Sequence, residues 1–111
     1  MRIDIITVVP QLLESPFTHS IMKRAQQKGL LEVQVHNLRD YTPYAHAQVD
    51  DYQFGGGAGM VMMPEPLIRA IEALQSERTY DEIIYMTPDG GRFEQKTANR
   101  LSMKENLMII C

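Results

Sequence analysis

A chain of 111 residues with 44% hydrophobic and 23% charged content is one globular domain or part of one, long enough to bury roughly 60–70% of its unfolded surface. Its net charge of −3 and pI near 5.5 exclude nucleic-acid binding through a broad basic surface, but not an RNA held by shape and a few contacts. A single cysteine, Cys111, excludes an internal disulfide and suits a reducing compartment, and no apolar run approaches the ~20 residues that span a bilayer. A soluble, cytoplasmic protein is expected, with no membrane partner.

The start, "MRIDIITVVP", carries an acid within its apolar run and has no small-residue cleavage site, so it reads as a strand and not a signal peptide. Ile3–Val8 predicts a first strand covered on both faces, closed by Pro10. Ser15 and Pro16 read as a helix start, with Phe17, Ile21 and Ala25 at helical spacing and Gly29 as the stop. Leu31, Val33 and Val35 alternate with Glu32, Gln34 and His36, the pattern of a half-exposed strand near a sheet edge.

From Asn37 to about Met63 no periodicity is visible. Connections of that length are functional or disordered, and Tyr41, Tyr44, Tyr52 and Phe54 favour function. Helical spacing resumes at Leu67, Ile71 and Leu74, entered through Pro64 and Pro66; "EIIYMT" is a third strand, "PDGG" a turn, Glu94–Met103 a third helix and "NLMIIC" a fourth strand. Because that last strand stops at its most apolar point, the chain is expected to be a fragment, with "NLMIIC" left as an exposed edge prone to self-association. The order β-α-β-loop-α-β-α-β predicts an α/β fold, a mostly parallel sheet flanked by helices on both faces. Ligands then sit beyond the carboxyl ends of the strands, where "TPDGG" lies.

Four of the seven glycines, Gly55, Gly56, Gly57 and Gly59, fall within five positions. No lysine follows Gly59, which excludes a P-loop, and Met60 stands where the dinucleotide fingerprint needs glycine. Two readings remain: a surface loop that merely turns, or a backbone approached closely by a flat aromatic ligand above the apolar base "MVMM". Asp50 and Asp51 fit either a contact to such a ligand or an Asx-type turn. Arg39–Asp40 fits a phosphate contact, an interface pair or a solvated pair, and Arg92 an RNA contact or the solvated start of a helix. His19, His36 and His46 have no metal-ligand spacing, so no metal is expected; His46, near the aspartates, is the one histidine worth testing. Met103 and Met108 are expected in the core.

"MRIDIITVVPQL", "HNLRDYT", "VDDYQFGGGAGMVMMPEPL" and "YMTPDGGRFEQ" occur in an order and spacing that closely resembles the bacterial TrmD family, tRNA (guanine-N1)-methyltransferases of the SPOUT class, from Met1 to Cys111. The resemblance implies an amino-terminal part of a SPOUT trefoil-knot domain spanning residues 1–111, with the knot incomplete and the carboxyl-terminal tRNA-binding domain absent. It implies transfer of a methyl group from S-adenosyl-L-methionine to the guanosine 3′-adjacent to the anticodon of tRNA, in a homodimer with sites shared between subunits. By position, Tyr85, Met86, Thr87 and Pro88 resemble the first wall of the cofactor pocket, and Asp50, Gly55, Gly56, Gly57, Ala58 and Gly59 the segment that approaches the target base. Ala58 stands where many relatives carry proline. No catalytic residue is expected within this chain, because the family's proposed general base lies beyond Cys111, so the 111 residues alone are expected to be inactive and to bind cofactor poorly. The alternative is a non-catalytic α/β module that binds a purine or a partner chain through the glycine block.

Overall fold

The computed structural model describes residues 1–52 and 60–111, with the side chains of all of these except 51, 52, 60 and 61. In chain order the elements are β1 (Arg2–Thr7), α1 (Ser20–Gln27), β2 (Glu32–Asn37), β3 (Asp50–Tyr52), β4 (Met60–Met62), α2 (Pro64–Gln75), β5 (Glu82–Tyr85), α3 (Gln95–Leu101) and β6 (Asn106–Ile110). Four of them form a parallel sheet in the order β2-β1-β6-β5. The expected α/β architecture is therefore present.

Register decides which face each side chain serves. Ile6 lies opposite His36 and Ile110, and Asp4 opposite Gln34 and Met108. On that face Ile6, Met108 and Ile110 pack with Leu38, Val49 and the α2 residues Ala70 and Leu74 into one buried cluster. Burial of Ile6 or Met108 stabilises the fold by roughly 1.5–3 kcal/mol each. The other face presents Ile3, Ile84, Leu107 and Ile109 toward Thr97 and Leu101 of α3. Helices thus cover both faces, as the alternation of elements requires.

β2 is a sheet edge, in agreement with its alternating pattern. β6 is not an edge. It lies between β1 and β5, so the expectation of an exposed "NLMIIC" edge is corrected: Leu107, Met108 and Ile110 are buried, and the second edge is β5. A run buried on both faces is what an interior parallel strand needs. Asp81 fixes the start of this strand, its carboxylate accepting the backbone N–H groups of Glu105 and Asn106, both at 2.9 Å.

Two further expectations change. The helix does not begin at Ser15–Pro16: the Ser15 carbonyl closes a turn by accepting the Thr18 N–H and hydroxyl, and α1 starts at Ser20 with no side-chain cap. The periodic residue Ile21 points outward, 75% exposed. The stretch between β2 and α2 contains an antiparallel hairpin, β3 with β4, in which Asp50 pairs with Met62. Strands of three residues are too short to show alternation, which hid them. Met103, expected in the core, is 84% exposed because it follows the end of α3 in the turn to β6.

Candidate functional site

Three strand ends are level at the carboxyl edge of the sheet. Met86 donates its N–H to the Ile110 carbonyl at 2.9 Å, and Cys111 donates to the Ile6 carbonyl at 3.0 Å. The segment 85–88 leaves β5 at this edge. It is held in a turn by the Gly90 N–H on the Thr87 carbonyl, 3.3 Å, and by the Thr87 hydroxyl on the Asp89 carboxylate. That hydroxyl, with a backbone N–H, holds the Asp89 carboxyl below the usual carboxylate range.

Beside this turn, on the α3 face, runs a groove of about 550 Å³. Tyr85, Met86 and Thr87 form one wall, Phe93 and Thr97 the other, and Ile109 part of the floor. Its size falls in the range of small-molecule sites. Among the described residues its lining carries no carboxylate or imidazole. Its floor and aromatic rim suit a planar, largely apolar group beside backbone carbonyls and amides. Arg100 at one end is ion-paired with Glu82. Arg92 lines the groove beside Phe93 and is exposed.

Of the residues expected to hold cofactor, Tyr85, Met86 and Thr87 therefore share one groove, and Pro88 is the next residue of the same turn, exposed. Asp50 is not among them. It is half-buried in β3, whose base is tied to the α2 side of the sheet: Met63 donates to the Val49 carbonyl at 2.7 Å, and Val49 is fully buried against Ile6 and Leu38. Asp50 occupies a strand position, its carbonyl accepting from the Gln48 side chain at 3.2 Å. Gly55, Gly56, Gly57, Ala58 and Gly59 lie outside the described residues. Met62 packs against the α2-side core, as an apolar base for the glycine block would require. Arg39 and Asp40 form no ion pair among the described residues; Arg39 donates to the Ala47 carbonyl at 3.1 Å. His46 is exposed in a left-handed conformation, φ 57°, and no metal-binding cluster occurs among the described residues.

One polar cluster was missed by reading the sequence. Asp4, fully buried in β1, accepts hydrogen bonds from the Arg2 guanidinium at 3.0 Å, from His36 Nε2 at 2.7 Å and from the Tyr80 hydroxyl at 2.6 Å. Burial pushes the Asp4 carboxyl up, but bonds from Arg2, Tyr80 and His36 outweigh it and hold the group below the usual range. Burial, then the bond to Asp4, pushes the Tyr80 phenol well above its ordinary value. An ionised carboxylate only accepts, so His36 Nε2 carries the hydrogen. The signal was available: an acid inside an apolar strand is buried and needs partners.

Comparison with known proteins shows the family and the fold. The sequence profile described as tRNA (Guanine-1)-methyltransferase TrmD matches residues 1–111. The chain is 64% identical over its whole length to a tRNA (guanine-N(1)-)-methyltransferase of Christiangramia forsetii and 66% identical to one of Flavobacterium johnsoniae, covering 49% of each. Its structure is similar to the crystal structure of the tRNA (m1G37) methyltransferase from Aquifex aeolicus, with a TM-score of 0.88 and 36% identity over 100% of this chain and 50% of that one. The chain spans about half the length of the curated relatives it matches.

Proposed function

Since the chain belongs to the TrmD family of tRNA (guanine-1)-methyltransferases, we propose that it forms the amino-terminal part of a SPOUT enzyme that methylates the guanosine 3′-adjacent to the anticodon of tRNA. The observation that carries this reading is the groove at the carboxyl edge, where Tyr85, Met86 and Thr87 come together. Its volume and its uncharged, partly aromatic lining fit the adenosine portion of S-adenosyl-L-methionine, which supplies the methyl group when bound. Met86 N–H is engaged by Ile110, so the turn is held before any ligand arrives. Such preorganisation reduces the ordering cost of binding.

In this reading Tyr85, Met86, Thr87 and Pro88 flank the adenine. Asp50 and the block Gly55, Gly56, Gly57, Ala58 and Gly59 serve the target base. The proton acceptor comes from outside these 111 residues, and the natural-length protein is a two-fold homodimer in the cytoplasm with sites shared between subunits.

The test is calorimetric titration of the natural-length protein with S-adenosyl-L-methionine, paired with labelled-methyl transfer to unmodified tRNA. Thr97→Trp, which fills the groove from α3, is expected to weaken cofactor binding at least tenfold while leaving the melting temperature within a few degrees. Unchanged binding in that variant places the cofactor elsewhere. Ligand binding without methyl transfer by the unaltered protein supports a non-catalytic module instead.

A further inference from the structure

The wall residues Tyr85, Met86, Thr87, Phe93 and Thr97 and the floor residue Ile109 carry no charge. Of the eleven lysines and arginines of the chain, all among the described residues, only Arg92 and Arg100 line the groove. Arg92 precedes α3 and Arg100 lies in its last turn, so most of the helix, seven residues and roughly 10 Å long, separates them. Arg100 is neutralised by Glu82. Arg92 keeps its charge beside Phe93, on the side of the groove that faces Met86 and Thr87.

Two carboxylates are close to Arg92 in the sequence, and neither takes it. Asp89 is occupied within the turn, where its carboxylate accepts the Thr87 hydroxyl. Glu94 holds the N-cap position of α3 and makes no ion pair among the described residues. The helix dipole gives no account of a cation there either: it favours cations at a carboxyl end, and Arg92 stands before the amino end. A merely solvated side chain is the alternative, as for other exposed cations of the chain. Its place in the groove is what sets Arg92 apart.

The proposed methyl donor gives that charge a partner. S-adenosyl-L-methionine carries one anionic group, the carboxylate of its methionine portion. With the adenine flanked by Tyr85–Pro88, the lining offers this carboxylate no uncompensated cation except Arg92.

We infer that Arg92 is a specificity-determining residue of the groove, its guanidinium pairing with the donor's carboxylate and so selecting ligands that keep the amino-acid portion; this rests on the reading of the groove as the S-adenosyl-L-methionine site. A guanidinium fork matches a carboxylate through two parallel N–H···O bonds. The donor's sulfonium and ammonium groups are positive, so the same guanidinium disfavours a ligand that has them without the carboxylate.

The experiment titrates the natural-length protein and its Arg92→Gln variant calorimetrically with two ligands, S-adenosyl-L-methionine and its decarboxylated form, which lacks that group alone. Arg92 is exposed, so the variant is expected to melt within a few degrees of the unaltered protein. Its affinity for S-adenosyl-L-methionine is expected to fall about tenfold, the effect of losing one hydrogen-bonded charge pair, while its affinity for the decarboxylated form is unchanged or rises. Arg92→Lys, which keeps the charge without the fork, is expected to lose less. Equal losses for both ligands overturn the inference, because they assign Arg92 to packing of the groove. Unchanged affinity for both also overturns it and leaves the side chain solvated; if tRNA binding alone weakens, Arg92 serves an RNA phosphate instead. If the unaltered protein binds neither ligand, the reading of the groove itself fails, an outcome distinct from binding that Arg92→Gln leaves unselective.

Discussion

Tyr80 donates its phenolic hydroxyl to the buried carboxylate of Asp4 at 2.6 Å, joining the segment before β5 to the middle of β1. His36 reaches the same carboxylate from edge strand β2, and Arg2 from its own strand. One acid thus gathers donors from three parts of the chain on the face that α2 covers. A buried charge is tolerated only where its oxygens are occupied.

Removing the acceptor is therefore expected to cost more than removing one donor. Asp4→Ala leaves the His36 and Tyr80 donors without this acceptor and Arg2 with Glu32 alone, and is expected to lower stability by about 3–5 kcal/mol, with a cavity in the sheet. Tyr80→Phe removes one charge-assisted bond and should cost about 1.5–3 kcal/mol. Urea denaturation of both variants compares them. Equal losses would show that Tyr80 is the dominant member.

The same cluster sets a pH window. The folded-state pKa of Asp4 is lowered, so its contribution is fully present above the unfolded value of about 3.9 and is lost as pH falls through the folded value. That of Tyr80 is raised, so its contribution is fully present below the unfolded value of about 10 and is lost as pH rises through the folded one. Denaturation midpoints should be flat between those limits and fall outside them. Tyr80→Phe should blunt the alkaline limb and leave the acid limb, with a residue from Tyr41, whose phenol burial also pushes up. An alkaline limb identical in both proteins would exclude Tyr80 as its source.

Two methionines give a sharp contrast. Met108 is fully buried in β6 and Met103 is 84% exposed after α3. Met108→Ala is expected to cost about 2–5 kcal/mol through lost burial and a residual cavity. Met103→Ala should stay within about 0.5 kcal/mol. Thermal melts of the two variants decide it, and a comparable loss at Met103 would mean that something covers that side chain in the natural-length protein.

Gly57→Val and Gly59→Val test the division of labour between glycine block and groove. A branched side chain penalises positive φ and blocks close approach of a ligand to the backbone. Methyl transfer is expected to drop at least a hundredfold in single-turnover assays while cofactor affinity changes less than threefold. Parallel losses in both quantities would show that the block also serves the cofactor.

The long-range pattern of this protein is written locally. Apolar runs, helical spacing and turn residues placed four sheet strands and two of the helices within a few residues of where they lie, because a parallel sheet covered on both faces demands continuous apolar strands. The turn 85–88 was legible for the same reason: a proline and two glycines directly after such a strand mark its carboxyl edge. Three things were decided only by tertiary structure. Strand order made β6 central, because pairing partners are chosen across the chain and leave no trace within the strand itself. The Ser15–Pro16 start was overruled because that segment closes a turn before α1, and a capping residue acts only where a helix follows it directly. The Asp4 cluster needed His36 and Tyr80, 32 and 76 positions away, brought together by register and by the fold of the segment before β5. A carboxylate's partners are set by three-dimensional proximity, and its position in the sequence shows only that it must have them.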